Sequence, residues 1–340
     1  MSNPSIRRGI ASTRLLCGLA DDHGLDRDDC LRGAAIPTAL LDDPNAEIEA
    51  AQEFRVIANL LGLLAARGVS DIELALGAGA RYHLTTMGIW GFAMAASATL
   101  GSAVHIGLRY LDLTYSVNRI WLDQGADAAS LVIDDQTSPA ALAQFVVLRD
   151  MAAIMTLNRE LLAAPVLPRE VRLRFARPAD AEVDRLAATF GCTPQFEAPR
   201  SELAFDLAVF ARPLPQANEL MRRACEDQCR ALLARRRGRT GYAGRVRDRL
   251  LKNPGQMPDM DAIAAELNVT ARHLRRLLSA EGTSYRALAD EVRQALAEEL
   301  LSTARMKMDE VAERLGYAER ASFVHAFKRW KGVSPSAFRG

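Results

Sequence analysis

The chain has 340 residues, enough for at least two domains, and its 49% hydrophobic and 25% charged residues exclude a disordered or fibrous protein. Its five scattered cysteines exclude a disulfide framework of the kind that small secreted proteins use. The net charge is only +1, but residues 235–340 contain 21 Lys and Arg against 13 Asp and Glu, whereas residues 1–234 contain 22 against 29. A basic C-terminal third on an acidic remainder is typical of a protein that binds nucleic acid through one of its domains.

The N-terminal residues and the apolar stretches argue against export and membrane insertion. The basic start of the chain is followed by a run that Asp21, Asp22 and His23 interrupt, which is not the pattern of a signal peptide. Apolar stretches such as residues 89–104 are short and rich in Ala, Gly and Ser. We therefore expect a cytoplasmic protein without a membrane span.

The first 234 residues alternate helical and strand patterns, which predicts an α+β domain. Helices are predicted at residues 12–20, 26–34, 50–67, 71–76, 89–96, 100–113, 140–162, 181–190 and 218–235. Strands are predicted at residues 117–122, 129–133, 171–175, 194–196 and 202–205.

Aromatic residues of this region are candidates for lining a small-molecule pocket, which is usually apolar with a few polar groups. The candidates are Tyr82, Trp90, Phe92, Tyr110, Trp121 and Phe145. Plain packing in the core or on the surface is the simpler alternative for each of them. Arg149 and Asp150 interrupt the apolar helix 140–162, either as a buried polar pair in the pocket or as the solvent edge of the helix, and the second interpretation is favoured.

Cys225 and Cys229 lie four residues apart on the predicted helix 218–235 and could form a redox pair or half of a metal site. No histidine lies near them in the sequence to complete a set of metal ligands. Ordinary buried thiols are therefore the better interpretation, and we expect no metal and no cofactor.

A basic segment that contains glycines, RRRGRTGYAG at residues 235–244, is predicted to be a flexible linker. It separates an N-terminal domain, residues 1–234, from a C-terminal domain, residues 245–340. The C-terminal domain is predicted to be all-α, with helix-turn-helix (HTH) motifs at about 260–280 and 308–331.

Each HTH motif has the small residue that the crossing of its two helices requires and a residue suited to the turn. Ala264 and Asn268 play these parts in the first motif, and Ala312 and Gly316 do so in the second, with the two alanines 48 residues apart. Residues 285–305 lack Pro and Gly and predict one connecting helix about 30 Å long. Successive major grooves lie roughly 34 Å apart, so one chain could place both motifs on one face of DNA.

The second helix of the first motif is predicted to carry the base-reading residues. Thr270 is a good N-cap, and inward-facing leucines leave Arg272, Arg275 and Arg276 on one outward face. Arginine can bind guanine through two hydrogen bonds and also attracts phosphates. The alternative is an ordinary solvated face, but such faces usually mix charges of both signs.

The second helix of the second motif has a weaker pattern. Its outward residues are predicted to be Arg320, Ala321, Val324 and His325, followed by Lys328 and Arg329 in positions suited to phosphates. Only Arg320 and His325 could donate strongly to a base. We therefore expect this helix to contribute more to positioning than to base readout.

The sequence of residues 316–339, GYAERASFVHAFKRWKGVSPSAFR, resembles the C-terminal signature of the AraC/XylS transcription regulators. The preceding stretch resembles the first half of the same domain at Leu274, Arg276, Gly282, Ser284, Tyr285, Arg293, Ala297 and Leu300. The resemblance implies two recognition helices in successive major grooves. It also implies base-reading positions at Arg272, Arg275, Arg276, Arg320, Ala321, Val324 and His325. The family often has Ser and Arg where this chain has Val324 and His325.

Residues 31–214 resemble the arabinose-binding-type N-terminal domain of one AraC subfamily, most clearly in LALGAGARYHLTTMGIWGFAMAASATLGSAVHIGLRYLDL and TFGCTPQFEAPRSELAFDLAVFARPLPQAN. This resemblance implies an α+β sensor domain that is often dimeric. It does not make arabinose the ligand.

Together these features predict a transcription regulator that binds double-stranded DNA and is gated by a small-molecule effector. RNA polymerase and a second copy of the chain are the further partners that we expect. One alternative is a constitutive regulator whose N-terminal domain only dimerises. The other is an enzyme tethered to DNA, but the sequence lacks a metal-ligand cluster, a phosphate-binding glycine loop and a nucleophile elbow.

Overall fold

The computed structural model describes residues 7–339 except 163, 165, 239–240, 253–254, 256, 304–305 and 318. The chain divides into two compact units, Met1–Arg235 and Arg236–Gly340. The sequence predicts a flexible linker just after this division, but the described residues there are helical. One helix runs to Gly238 and the next begins at Gly241. The three consecutive arginines that open the segment are good helix formers, which explains the difference.

In the first unit, helices and a small antiparallel sheet surround a single hydrophobic core. Its helices are α1 (Ala11–Asp22), α2 (Arg27–Leu31), α3 (Ala50–Ala65), α4 (Asp71–Gly79), α5 (Ile89–Ala95), α6 (Leu100–Arg109), α7 (Ala143–Leu161), α8 (Asp180–Phe190) and α9 (Glu219–Gly238). Its strands are β1 (Arg8–Gly9), β2 (Glu47–Ile48), β3 (Arg119–Gln124), β4 (Ala128–Asp134), β5 (Glu170–Arg172) and β6 (Ser201–Asp206). The main sheet has the order β3-β4-β6-β5, and β1 pairs with β2.

This architecture confirms the predicted α+β class, but several elements differ in detail: the strand predicted at residues 171–175 is Glu170–Arg172, and strands β1 and β2 were not predicted. The predicted strand at residues 194–196 is wrong, because Gln195 forms only an isolated bridge with Arg172. The predicted helix 100–113 ends as an α-helix at Arg109 and continues as a short 3-10 turn at Leu111–Leu113. The start of α6 is fixed by a capping box between Thr99 and Ser102.

Helix α7 is the central element of the first unit. It packs closely on α4 because Gly79 has no side chain: a Cβ there would lie 2.4 Å from the Cβ of Ala152. The stretch Ala140–Leu161 is apolar and long enough to cross a membrane, and 72% of its most apolar window is buried inside the unit. Because most of this stretch is buried within the unit, its apolar residues are those of a core helix.

Arg149 and Asp150 are buried on α7, so the favoured interpretation of a solvent edge is wrong. Their side chains are 1% and 2% exposed. The Arg149 guanidinium pairs with Glu53 at 2.9 Å and with Asp150 at 3.1 Å. Asp150 also accepts hydrogen bonds from Ser116 and Asn118. Charged side chains can be buried in this way because nearly every polar atom finds a partner.

The second unit is helical, as predicted. Its helices are α10 (Gly241–Lys252), α11 (Met260–Glu266), α12 (Ala271–Ala280), α13 (Tyr285–Thr303), α14 (Met308–Arg314), α15 (Arg320–Lys331) and α16 (Pro335–Arg339). The first half of α13 packs with α10–α12 through Leu288 and Val292, and its second half packs with α14–α16 through Ala297 and Leu301. At 19 residues, α13 is about 28 Å long and joins two separate small cores.

Candidate DNA-binding surface and ligand cavity

Helices α11 and α12 form the first HTH motif with the predicted geometry. Ala264 is 2% exposed where the helices cross. Asn268 has a φ of 55°, the left-handed conformation predicted for this turn residue. The Thr270 hydroxyl accepts a hydrogen bond from the backbone N–H of His273 at 3.2 Å, which confirms the predicted cap of α12.

The outer face of α12 presents the three predicted arginines to solvent. Arg272, Arg275 and Arg276 are exposed, whereas Leu274 and Leu278 on the opposite face are buried. Among the described residues, none of the three arginines forms an ion pair with a carboxylate. Their guanidinium donors therefore have no acidic competitor among the residues that the structure describes.

His273 is a further residue of this surface that the sequence analysis did not single out. One terminal guanidinium nitrogen of Arg276 lies 3.2 Å from its Nδ1. The spacing of three residues on one helix was the signal that could have identified the pair. The contact restrains the Arg276 side chain on the outward face of α12.

The second motif, α14 and α15, has the same construction. Ala312 is 2% exposed at the crossing, and Gly316 has a φ of 77° in the turn. Phe323 and Phe327 are fully buried, and Trp330 is partly buried beside them. The predicted inward stripe of α15 is thus confirmed.

The outward face of α15 differs from the prediction at one position. Arg320, Ala321, His325 and Lys328 are exposed, as predicted. The prediction that Val324 faces outward is wrong in part, because this side chain is half-buried and packs against the core of the motif.

Arg320 and Arg329 of α15 have acidic partners, unlike the three arginines of α12. Arg329 is exposed, but its guanidinium lies 3.3 Å from the carboxylate of Asp290 on α13. Arg320 lies 4.0 Å from Asp309 on α14. These carboxylates compete with any phosphate for the same donors.

The first unit contains a cavity of about 100 Å³. Its walls come from α5, α6, α7, three strands of the main sheet and the turn that follows β6. The side chains are almost entirely apolar, among them Met94, Val104, Ile154 and Phe205, and Asn158 is the one that carries a polar amide. Such a cavity suits an apolar molecule.

Of the six aromatic candidates, Trp90 lines the cavity. Its indole N–H donates to the backbone carbonyl of Gly107 at 3.1 Å. The other candidates do not line it, which sequence reasoning could not foresee because the walls come from distant segments. Tyr82 is buried beside Ser12, 2.7 Å from its hydroxyl, and Phe145 is buried in the core. Phe92 is 55% exposed.

The two remaining candidates also lie apart from the cavity. Trp121 is half-buried on β3, with the Arg119 guanidinium 5.1 Å from its ring centre. Tyr110 is buried at the end of α6, where its hydroxyl lies 3.4 Å from the Glu226 carboxylate.

A smaller chamber of about 40 Å³ shares several apolar lining residues with the cavity and has a polar wall. Three polar side chains of that wall, Thr114, Ser116 and Asp150, already have hydrogen-bond partners. Thr114 donates to the carbonyl of Leu111 at 2.8 Å, and Ser116 donates to Asp150 at 2.6 Å. Asp150 also accepts from Arg149 and Asn118.

Helix α6 connects the cavity wall to α9. Its residues Gly107 and Leu108 line the cavity. The next residue, Arg109, forms an ion pair with Glu226 of α9 at 2.6 Å. Burial opposes ionisation of Glu226, but hydrogen bonds from Arg222 and Arg109 outweigh it and lower its pKa. The pair therefore holds these two helices together as charged groups at neutral pH.

The two cysteines of α9 are ordinary buried thiols. Cys225 and Cys229 are 3% and 0% exposed. Burial raises the pKa of Cys229 to about 11, so its thiol is protonated at neutral pH. In the described part of the chain, no group of three or more potential metal ligands is found.

Both units match models of known protein families. Residues 24–214 match the arabinose-binding domain of AraC transcription regulators, and residues 263–340 match a helix-turn-helix domain. The chain is 35% identical to an HTH-type transcriptional regulator of Mycobacterium tuberculosis, over 98% of this chain and 96% of that protein. It is 33% identical to the ornithine utilization regulator of Pseudomonas aeruginosa, over 97% and 95% of the two chains.

Among solved structures, the transcriptional regulator CdpR of Pseudomonas aeruginosa is 25% identical, with a TM-score of 0.48 over 97% of this chain and 98% of that one. The family match extends over most of the first unit, and the two relatives match nearly the whole chain. The chain therefore belongs to the AraC-type HTH transcription regulators, with an arabinose-binding-like N-terminal domain and a C-terminal DNA-binding domain.

Proposed function

We propose that this regulator recognises DNA mainly through α12 and that a small molecule in the cavity of the first unit controls its binding. The observation that carries the first part is the outward face of α12. Arg272, Arg275 and Arg276 are exposed there without acidic partners among the described residues. Arginine donors without a carboxylate partner can bind the O6 and N7 atoms of guanine.

Helix α15 positions the protein on the phosphate backbone. Lys328 and His325 are exposed, and Arg320 and Arg329 would exchange their carboxylate partners for phosphates. Ala321 is exposed and can contact a base edge only through its methyl group. The half-buried Val324 adds little to this surface.

The second part, control by a small molecule, is supported by the position of the cavity. Its α6 wall pairs directly with α9, and α9 continues to Gly238, past the division between the units. A ligand that binds better to one arrangement of α6 and α9 shifts the population toward that arrangement. The protein then acts as a cytoplasmic regulator rather than an enzyme, as a homodimer that contacts RNA polymerase at the promoter.

The first experiment is selection of DNA by the full-length protein from random duplexes at a fixed salt concentration. Enrichment of two half-sites about one helical turn apart would support two working motifs. A single half-site would mean that α15 is mainly structural. Equal retention of all sequences would overturn base readout by α12.

The selected operator then tests control by a small molecule. Binding of the operator is measured with increasing concentrations of a cavity ligand, and a change of affinity that saturates supports gating. An unchanged affinity when the cavity is occupied would overturn gating and favour a constitutive regulator.

A further inference from the structure

We propose that the cavity binds an uncharged, mainly hydrocarbon molecule that carries one hydroxyl group, and that the side-chain oxygen of Asn158 accepts the hydrogen bond of that hydroxyl. This inference rests on the proposed function, because it names the class of effector for the same cavity. The proposed ligand differs from the sugar in the name of the matching family domain and from the amino acid in the name of one relative.

The walls of the cavity argue against a sugar or an amino acid. A pentose has four or more polar groups, and an amino acid is a zwitterion. Each polar group moved from water into an apolar cavity costs free energy unless it finds a partner there. The lining residues of the larger cavity offer one side-chain amide and no charged group.

Asn158 is the lining residue with an unused hydrogen-bonding atom. The residue is 6% exposed, and its Nδ2 donates to the backbone carbonyl of Val166 at 2.9 Å. That bond fixes which end of the amide is the nitrogen. The Oδ1 atom is buried and has no partner among the described residues. Buried acceptors without a partner are rare in folded proteins, because leaving them unpaired costs free energy.

A water molecule is a poor partner for this oxygen. An ordered buried water usually makes about three hydrogen bonds and needs two to four polar partners. Apolar side chains surround the cavity elsewhere, and Thr114, Ser116 and Asp150 of the adjoining chamber already have hydrogen-bond partners. A ligand hydroxyl satisfies Asn158 while its hydrocarbon part fills the apolar space.

Calorimetric titration of the full-length protein with matched ligands tests this assignment. The probes are n-hexanol, hexyl methyl ether, L-arabinose and L-ornithine. The ether has nearly the same shape as the alcohol but cannot donate a hydrogen bond. We expect hexanol to bind roughly threefold to tenfold more tightly than the ether. We expect no binding of arabinose or ornithine that competes with hexanol.

Two variants show whether Asn158 causes this preference. Asn158→Leu keeps the size but removes the acceptor, so the ether should still bind and the preference for hexanol should disappear. Asn158→Asp, measured at low pH where burial favours the neutral acid, keeps one donor and one acceptor and should retain the preference. The thermal transition of each variant shows that it is folded.

The outcomes separate this inference from gating. Equal affinity for hexanol and ether in the wild type, no binding of either, or competition by arabinose or ornithine overturns the proposed ligand class. If hexanol binds with the expected preference but leaves the affinity for the selected operator unchanged, the ligand class stands and gating by the cavity is wrong.

Discussion

At the scale of single residues, the two basic recognition surfaces can be distinguished by experiment. We predict that Arg276→Ala will weaken binding to the selected operator by about 1–3 kcal/mol and relax the preference at one base pair, because a two-bond contact with guanine is lost. The measurement is the affinity for the operator and for its single-base variants. The control is Lys328→Ala, which should weaken all sequences nearly equally and reduce the salt slope by about one phosphate contact. A uniform loss for Arg276→Ala as well would make Arg276 a phosphate contact.

The buried ion cluster of the first unit makes a second prediction at this scale. Arg149→Met should lower the free energy of unfolding of that unit by about 3–5 kcal/mol, because Glu53 and Asp150 are left buried without their counter-charge. Arg174→Met provides a control, since Arg174 pairs with Asp135 at a half-exposed position and should cost no more than about 1 kcal/mol. Urea unfolding followed by far-UV circular dichroism measures both. Similar losses for the two variants would mean that the cluster contributes little.

At the scale of secondary-structure elements, Asp290 of α13 forms an ion pair with Arg329 of α15. This pair occupies a guanidinium that α15 could otherwise offer to a DNA phosphate. We predict that Asp290→Asn will raise the affinity for DNA of any sequence and steepen its salt dependence, because the guanidinium becomes free for a phosphate and a repulsive charge is lost. Operator and unrelated DNA should gain equally.

A double variant identifies the cause of this gain. If Arg329 is the residue that responds, Asp290→Asn combined with Arg329→Ala should lose most of the gain. A gain that persists in the double variant would come from general charge removal instead. Salt titrations of all three proteins give the comparison.

The elements that could be predicted from the sequence are those defined by nearby residues. The turn at Asn268, the cap at Thr270 and the inward stripe of Phe323 and Phe327 each depend on residues within one or two helical turns, and each is confirmed. Helix bounds in the first unit agree to within a few residues for the same reason.

The cavity could not be predicted because distant segments build it. Trp90, Leu131 and Asn158 come from α5, β4 and α7, and periodicity carries no information about which of these faces meet. The burial of Arg149 likewise depends on Glu53, which lies 96 residues away. A charged residue within an apolar helix therefore has two opposite interpretations until its tertiary partners are known.

At the scale of the whole molecule, the charge distribution favours contact with DNA through one unit. Residues 235–340 have 21 basic and 13 acidic residues, whereas residues 1–234 have an excess of acidic residues. DNA thus attracts the second unit and repels the first. Helix α9 runs past the division between the units and is therefore one covalent route by which the cavity can influence DNA binding.

The pair between Arg109 and Glu226 provides a test of that route. We predict that Glu226→Gln will leave hexanol binding nearly unchanged but reduce its effect on operator affinity. The reason is that α6, which lines the cavity, loses its charged contact with α9. Coupling between two sites usually changes affinity by a factor of roughly 5 to 150, and in this variant the factor should approach one.

Glu219→Gln is the matched control, because Glu219 pairs with Arg222 and Arg223 within α9 itself and should leave the coupling intact. Affinities for the operator with and without hexanol give the factor for each protein. An undiminished factor in Glu226→Gln would exclude this contact as the route.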